Sequence, residues 1–397
     1  MVTIGGQALN KFCYLPSGWN DAWQTAKAAS GTTQANLLQI GDSVGQGFVS
    51  TDVFAKGYFG LMRANLLKTY TLGGDFYGPQ MNATFDSHVT TPPYVYGAGA
   101  RSFGNGGRGY WIYNNAVYAG NFVTFTTPYA CTAIDIHYGN YTAGAFDYSV
   151  DGGGAVTQTV TGSGGTGPDC THAKISLTGL ANTTHTIAFQ NPTATPASCL
   201  ITGITTWKST TTGINFANMS VSGFSSANFV TRVDSASNPL CPALYQGYTP
   251  QKEGQGSASQ IANNTGYGFP TQPHLAIIQL GINDLQQSVS AATFATNVTY
   301  FIQAFRRGQP NASIILLGAS NPDGVNSDMR TPFTGAKNWQ QYLLQMFTLA
   351  QMFNCAFVNI HAKWGELGVT SGFQASGDGH PLDAGHQDIA NVLNTII

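Results

Sequence analysis

Four short segments hold the residue types of nucleophilic catalysis: Gly41-Asp42-Ser43, Asn218-x4-Gly223-x-Ser225, Gly281-Ile282-Asn283-Asp284 and Asp378-Gly379-His380-Pro381. A serine hydroxyl attacks a carbonyl carbon only when a base takes its proton and donors hold the oxyanion that forms. Ser43 offers the hydroxyl and His380 the base. Gly223 and Asn283 offer amide donors. Each segment also has an ordinary reading. Ser43 would suit a helix N-cap, Gly223 a positive φ, and Asn283 an Asx-turn. Asp42 and Asp284 read as braces that accept backbone hydrogen bonds in their turns. His386 reads as structural or helix-capping, and His137, His274 and His361 join no constellation.

For these groups to meet, each must stand at the end of a strand in one sheet. Leu37–Ile40 is an apolar run of the length of a buried parallel strand. Beyond Ser43, apolar residues recur at helical spacing at Val53, Phe54, Tyr58, Leu61, Met62, Leu66 and Leu67. Gly73-Gly74 and Pro79 then read as breakers. Short alternating segments with turn clusters follow from about Asn82 to Trp207, the pattern of a β-sandwich. Strands at Ile214–Asn218, His274–Gly281, Ser313–Gly318 and Ala356–Ile360 then alternate with helices at Ala291–Arg306, Lys337–Phe353 and Asp383–Ile397. That alternation means βαβ units and a parallel sheet. The first strand–helix unit lies before the β-rich block and the rest after it. The expected organisation is therefore one α/β domain, residues 1–81 and 209–397, with a sandwich inserted at 82–208. Strand ends in an open parallel sheet share one edge, where active sites sit.

The bulk composition narrows the setting. Only 9% of the 397 residues are charged, against about 25% in an average domain. With 42% hydrophobic residues, the chain is still built to fold. Its surface must be uncharged and polar, which suits an extracellular or virion-borne protein. A net charge of −2 gives no reason to expect nucleic acid or anionic membrane as a partner. No apolar run reaches the ~18 residues of a membrane span, and Met1–Asn10 shows no secretion leader. The six cysteines form no CxxC pair, so no metal site is expected. Cys131, Cys170 and Cys199 fall in the β-rich block, where a bridge between two of them is expected, Cys170–Cys199 being one pairing. The glycine-rich stretch 104–109 follows no parallel strand and reads as a loop rather than a phosphate cradle. Arg108, Tyr110 and Trp111 are candidates for a sugar-binding rim. Trp364 is another, with a core role as its alternative.

The four segments, in this order and at these strand ends, resemble the signature blocks of the SGNH (GDSL) hydrolases. The resemblance covers the α/β parts and not the insertion. It implies a three-layer α/β/α, flavodoxin-like fold with a parallel sheet of about five strands, here carrying a jelly-roll-like insertion. It implies Ser43 as nucleophile, His380 as general base, and the Ser43 amide, the Gly223 amide and the Asn283 side chain as the oxyanion hole. It implies no cofactor. The family usually has an acid three residues before the histidine, but that position is Gly377. Asp378, two before, either orients His380 or leaves it to a backbone carbonyl. Inserted β-domains at this point are similar to those of some bacterial and phage-tail members that act on acetylated polysaccharide. The expected function is a serine esterase that removes O-acetyl groups from a carbohydrate. The alternatives are a lipid or small acyl-ester hydrolase, and a glycan-binding or tail-fibre module with a secondary site. Oligomeric state is not legible.

Overall fold

A computed structural model describes residues 12–77, 121–140, 144–160, 171–190, 199–220, 222–227, 273–319, 339–364, 372–374 and 379–397. It also describes the backbone of short strands at 3–4, 7–8, 94–96, 101–102 and 110–112. The chain starts with β1 (Thr3–Ile4), β2 (Gln7–Ala8), β3 (Cys13–Tyr14) and helix α1 (Asp21–Ala28). The first α/β unit is β4 (Gln34–Gly41), α2 (Ser43–Gln46), α3 (Tyr58–Leu66) and β5 (Leu72–Tyr77). The β-rich block holds β6 (Tyr94–Tyr96), β7 (Arg101–Ser102), β8 (Tyr110–Ile112), β9 (Asn121–Thr126) and β10 (Cys131–Asn140). It continues through β11 (Gly144–Val150), β12 (Val156–Val160), β13 (Thr171–Thr183), β14 (Thr186–Gln190) and β15 (Cys199–Trp207). The second α/β stretch runs β16 (Gly213–Asn218), β17 (Leu275–Gln279), α4 (Ile282–Gln286), α5 (Ala291–Gly308) and β18 (Ser313–Gly318). It closes with α6 (Trp339–Phe353), β19 (Ala356–Asn359), α7 (Ile360–Trp364) and α8 (Asp383–Ile396).

Strands β5, β16, β4, β17, β18 and β19 lie side by side and parallel, with β3 antiparallel at the far edge. Their residues are almost all buried on both faces, and β17 and β18 read as near-continuous apolar runs. The flanking helices form by amphipathic spacing. In α5, Phe294, Val298, Phe301, Ile302 and Phe305 are buried one helical turn apart, and Ser290 caps the start by accepting from the Thr293 N–H at 3.0 Å. Helix α3 packs with α8, and α5 with α6. The architecture is the expected α/β sheet flanked by helices.

Strand β5 departs from the sequence reading, because the Gly73-Gly74 pair that reads as a breaker lies inside it. A Cβ on Gly73 would come within 2.4 Å of Asn215 Oδ1, and one on Gly74 within 2.5 Å of the Trp207 ring. Close approach of neighbouring strands, not a turn, requires these glycines. Strand β5 is also the seam of the molecule. One side pairs parallel with β16, and the other pairs antiparallel with β15. Through β15 and β10 the α/β sheet thus runs without a break into the β-rich block. A second sheet, ordered β12-β11-β14-β9-β6, belongs to the same block. A separate core cluster joins the two, with Phe125, Phe146, Ile187 and Phe189 from the smaller sheet meeting Tyr77, Ile134, Ile136 and Ile204 from the larger.

The helical spacing from Val53 onward also needs correcting. Val53 and Phe54 precede α3, which starts only at Tyr58. Asp52 Oδ1 accepts from the Phe54 and Ala55 N–H groups and makes a turn there instead.

Candidate active site

Strand β4 ends at Gly41, and the chain turns at once into α2, a single turn that starts with Ser43. Asp42 caps it, its Oδ1 accepting from the Val44 N–H at 2.9 Å. Its own N–H donates to Gln279 at the end of the neighbouring strand β17. Burial pushes the Asp42 carboxyl up to about 7, against the pull of its backbone bonds. The turn is bolted from below by two side-chain amides. Gln39 Nε2 and Asn218 Nδ2 both donate to Gly45 C=O, at 2.6 and 3.0 Å. Asn218 Oδ1 in turn accepts from Gln39 and from the Ser220 N–H. The Asn218 side chain is therefore committed and buried.

His380 comes to Ser43 from the other end of the chain. Its Nε2 stands 2.7 Å from Ser43 Oγ, the reach a general base needs. The Phe48 ring stands edge-on to the imidazole, centroids 4.9 Å apart. Phe48 is itself tied back, its N–H donating to Ser43 C=O. Just beyond His380, Asp383 opens α8 and accepts from the Thr51 N–H and hydroxyl and from Lys56. Both contacts hold the loop after α2 against the histidine. His386 does the structural work expected of it. It is buried in α8, Tyr58 N–H donates to its Nδ1, and burial brings it down to about 4.

Gly223 follows β16 with φ of +78°, a left-handed backbone that favours glycine. Asn283 lies in α4, at the carboxyl end of β17, and one of its two amide hydrogens goes to Phe224 C=O at 3.1 Å. Asp284 accepts from the Ser226 N–H and hydroxyl, and burial pushes it up to about 6. Among the described residues, the N–H groups of Ser43 and Gly223 have no hydrogen-bond partner. Those two amides and the second hydrogen of Asn283 are therefore available to a ligand. The arrangement offers a hydroxyl, a base and spare donors along one sheet edge.

The other sequence candidates divide. Asp378 and Arg108 lie outside the described residues, and so does Cys170 of the proposed bridge. Tyr110 and Trp111 lie in β8, described in backbone only, where they pair with Ile201 and Leu200 of β15. Trp364 is buried, its indole N–H donates to Asp388 at 2.8 Å, and it stacks on Phe373. The core alternative for Trp364 therefore fits its surroundings. Among the described residues no group of three metal-ligating side chains occurs, and no helix is long and apolar enough to cross a membrane. A concavity of about 820 Å3, bordered by Asp21, His274, Arg306 and Asn311, lies at the amino ends of the strands and does not border Ser43.

Sequence reasoning passed over Gln39, Gln279 and Phe48. A signal for the glutamines was there. Gln39-Ile40-Gly41 and Gln279-Leu280-Gly281 put a polar residue at the same place near the ends of two buried strands. The buried amide of Gln39 has acceptors for its hydrogens in Gly45 C=O, Asn218 and Ser220.

Residues 223–387 match the family model of the GDSL-like lipases and acylhydrolases. The match begins at Gly223 and takes in Asn283 and His380, while Ser43 lies before the β-rich block. No curated protein matches the chain. Among solved structures, a peptidoglycan O-acetylesterase is similar over 96% of this chain and 94% of its own, with 14% identity and a TM-score of 0.56. That likeness is one of fold. A family two carbohydrate esterase from Clostridium thermocellum aligns over 76% of this chain and 97% of its own at 15% identity, with a TM-score of 0.30. One from Corynascus thermopiles aligns over 72% and 97% at 17% identity, with a TM-score of 0.31. Superpositions at those two scores carry no weight. The family match over residues 223–387, set on this fold, indicates a carboxylic ester hydrolase similar to the GDSL-like lipases and acylhydrolases.

Proposed function

We propose that the chain is a serine esterase that removes O-acetyl groups from a polysaccharide. The observation that carries the reading is the 2.7 Å separation of Ser43 Oγ and His380 Nε2 at the carboxyl edge of the sheet. In this reading Ser43 Oγ attacks the acetyl carbonyl carbon while His380 Nε2 takes its proton. The Ser43 and Gly223 N–H groups and the Asn283 amide hold the tetrahedral oxyanion. The intermediate collapses to an acetyl-serine, and His380 returns the proton to the departing sugar hydroxyl. Water, activated by the same imidazole, then releases acetate. With Nε2 as acceptor the ring proton sits on Nδ1, and Asp378 is the group proposed to hold it there.

The carbohydrate half of the proposal has separate support. The chain's surface is poor in charge, and a structure similar over 96% of this chain is that of a peptidoglycan O-acetylesterase. The β-rich block, joined to the catalytic sheet through β5 and β15, is the part we assign to glycan contact, with Arg108, Tyr110 and Trp111 as its candidates. An extracellular or virion-borne setting belongs to the same proposal.

The test compares the wild type with Ser43→Ala on p-nitrophenyl acetate, on longer acyl esters and on acetylated xylan and capsule. The expected outcome is turnover of acetyl esters that falls by at least about 10³ in the variant. Absence of Ser43-dependent turnover on every ester would sink the mechanism. Preference for long chains would move the substrate to lipid esters.

A further inference from the structure

The loop that carries Gly223 is held by side chains. The Ser222 N–H donates to Gln46 Oε1 at 3.1 Å, and Gly223 C=O accepts from Gln287 Nε2 at 2.8 Å. Phe224 C=O accepts from Asn283, and the Ser226 N–H donates to Asp284. A strand gets its fixed backbone from the ladder on either side. This loop has no ladder partner among the described residues, and its glycine at φ +78° is the most permissive residue for such a backbone. Left untied, it would spread over many conformers, each costing about 1–2 kcal/mol per residue to freeze.

Two of these grips come from the elements that carry the other donors. Gln46 rides on α2, the same helical turn as Ser43. Gln287 follows α4 one turn after Asn283, and its own N–H donates to Asn283 C=O at 2.8 Å. The Gly223 N–H lies in the chain between the two gripped groups, the Ser222 N–H on one side and the Gly223 C=O on the other. Oxyanion stabilisation depends on donors that are already aimed, and a shift of about 1 Å costs on the order of 10²-fold in rate.

We propose that Gln46 and Gln287 are positioning residues that lock the Gly223 N–H to the Ser43 N–H and the Asn283 amide, so that three donors converge on one oxyanion. The inference rests on the esterase reading above. Neither glutamine is assigned a contact with substrate, and both act through the Gly223 backbone. Their chemical requirements are opposite. Gln46 serves as an acceptor and Gln287 as a donor.

Gln287 is exposed, so its variants test the idea without disturbing the core. The experiment measures kcat and KM on p-nitrophenyl acetate, inhibition by a boronic acid that forms a tetrahedral adduct with the serine, and thermal stability. Gln287→Met is expected to lower kcat about tenfold and to weaken the boronate by a similar factor, with KM within about twofold and melting unchanged. Gln287→Lys, which keeps a donor, is expected to recover most of kcat, and Gln287→Glu to lose at least as much as the methionine. Gln46→Met is expected to give the same kcat-only signature. Wild-type kcat in Gln287→Met, or equal losses in the methionine and lysine variants, would overturn the positioning role. Ser43→Ala is assayed beside them. If it is inactive while Gln287→Met is normal, only this inference falls. If it is active, the esterase reading falls and takes this one with it.

Discussion

His380 reaches Ser43 with Nε2, so an acceptor on the Nδ1 side decides how much of the time the imidazole holds the productive tautomer. Asp378 is proposed for that place, one residue closer to the histidine than the family's usual acid. Asp378→Asn is expected to lower kcat by about 10²–10⁴ with little change in thermal stability. Activity at the wild-type level in that variant would assign the task to another group. Asp383, the other carboxylate close to His380 in sequence, is already taken by Thr51 and Lys56 and sits below the usual carboxylate range for it. It braces the loop rather than the base.

At the scale of the element, α2 is too short to be stable by helix propensity. It stands because Asp42 caps its start and because Gln39 and Asn218 hold Gly45 C=O. The cap has a cost that depends on pH. The Asp42 carboxyl is buried and pushed up to about 7, while in the unfolded chain it titrates near 3.9. Between those values the folded protein binds more protons than the unfolded one, so this group's contribution to stability falls as pH rises through the window. Asp42→Asn keeps an acceptor for the Val44 N–H and does not titrate. Its stability relative to wild type is expected to rise between pH 4 and pH 8, by at most about 4 kcal/mol at 1.4 kcal/mol per pKa unit. Urea unfolding at the two ends of that range checks the sign. A difference that stays flat or falls with pH would mean that Asp42 is charged in the folded state throughout.

The whole molecule turns on the seam at β5. Arg63 of α3 and Asp75 of β5 form an ion pair at 2.8 Å with side-chain exposures of only 3% and 2%. Tyr77 adds its hydroxyl to Asp75, and the guanidinium lies 3.6 Å from the Phe54 ring and donates to Phe54 C=O. The pair therefore ties the loop after α2 to the strand that leads into the β-rich block. Breaking such a pair from one side strands a buried charge. Arg63→Met is expected to cost about 3–5 kcal/mol by urea unfolding, and adding Asp75→Asn to it is expected to return part of that loss. Additive losses in the double variant would show that the two charges do not support each other.

How much of this was legible beforehand follows from the range of the forces involved. The α/β alternation, the β-rich block and the order of Ser43, Gly223, Asn283 and His380 were readable, because periodicity and local turn chemistry are written in neighbouring residues. Strand β5 was not readable. Its glycines answer to Asn215 and Trp207, far along the chain, and from one sequence they look like a turn. The partners of Gln39 and Gln46 were likewise not readable, because Asn218 and Ser222 arrive only when β16 lies beside β4. The continuity of the sheet across β5 and β15 is likewise a matter of pairing, which a hydrophobic pattern does not specify between distant strands. The sequence by itself determined which groups are proposed for the chemistry and which elements carry them. Only the tertiary structure decided that Ser43 and His380 stand 2.7 Å apart and that side chains grip the Gly223 loop. Those contacts join segments that nothing local brings together, and their geometry is set by packing across the sheet.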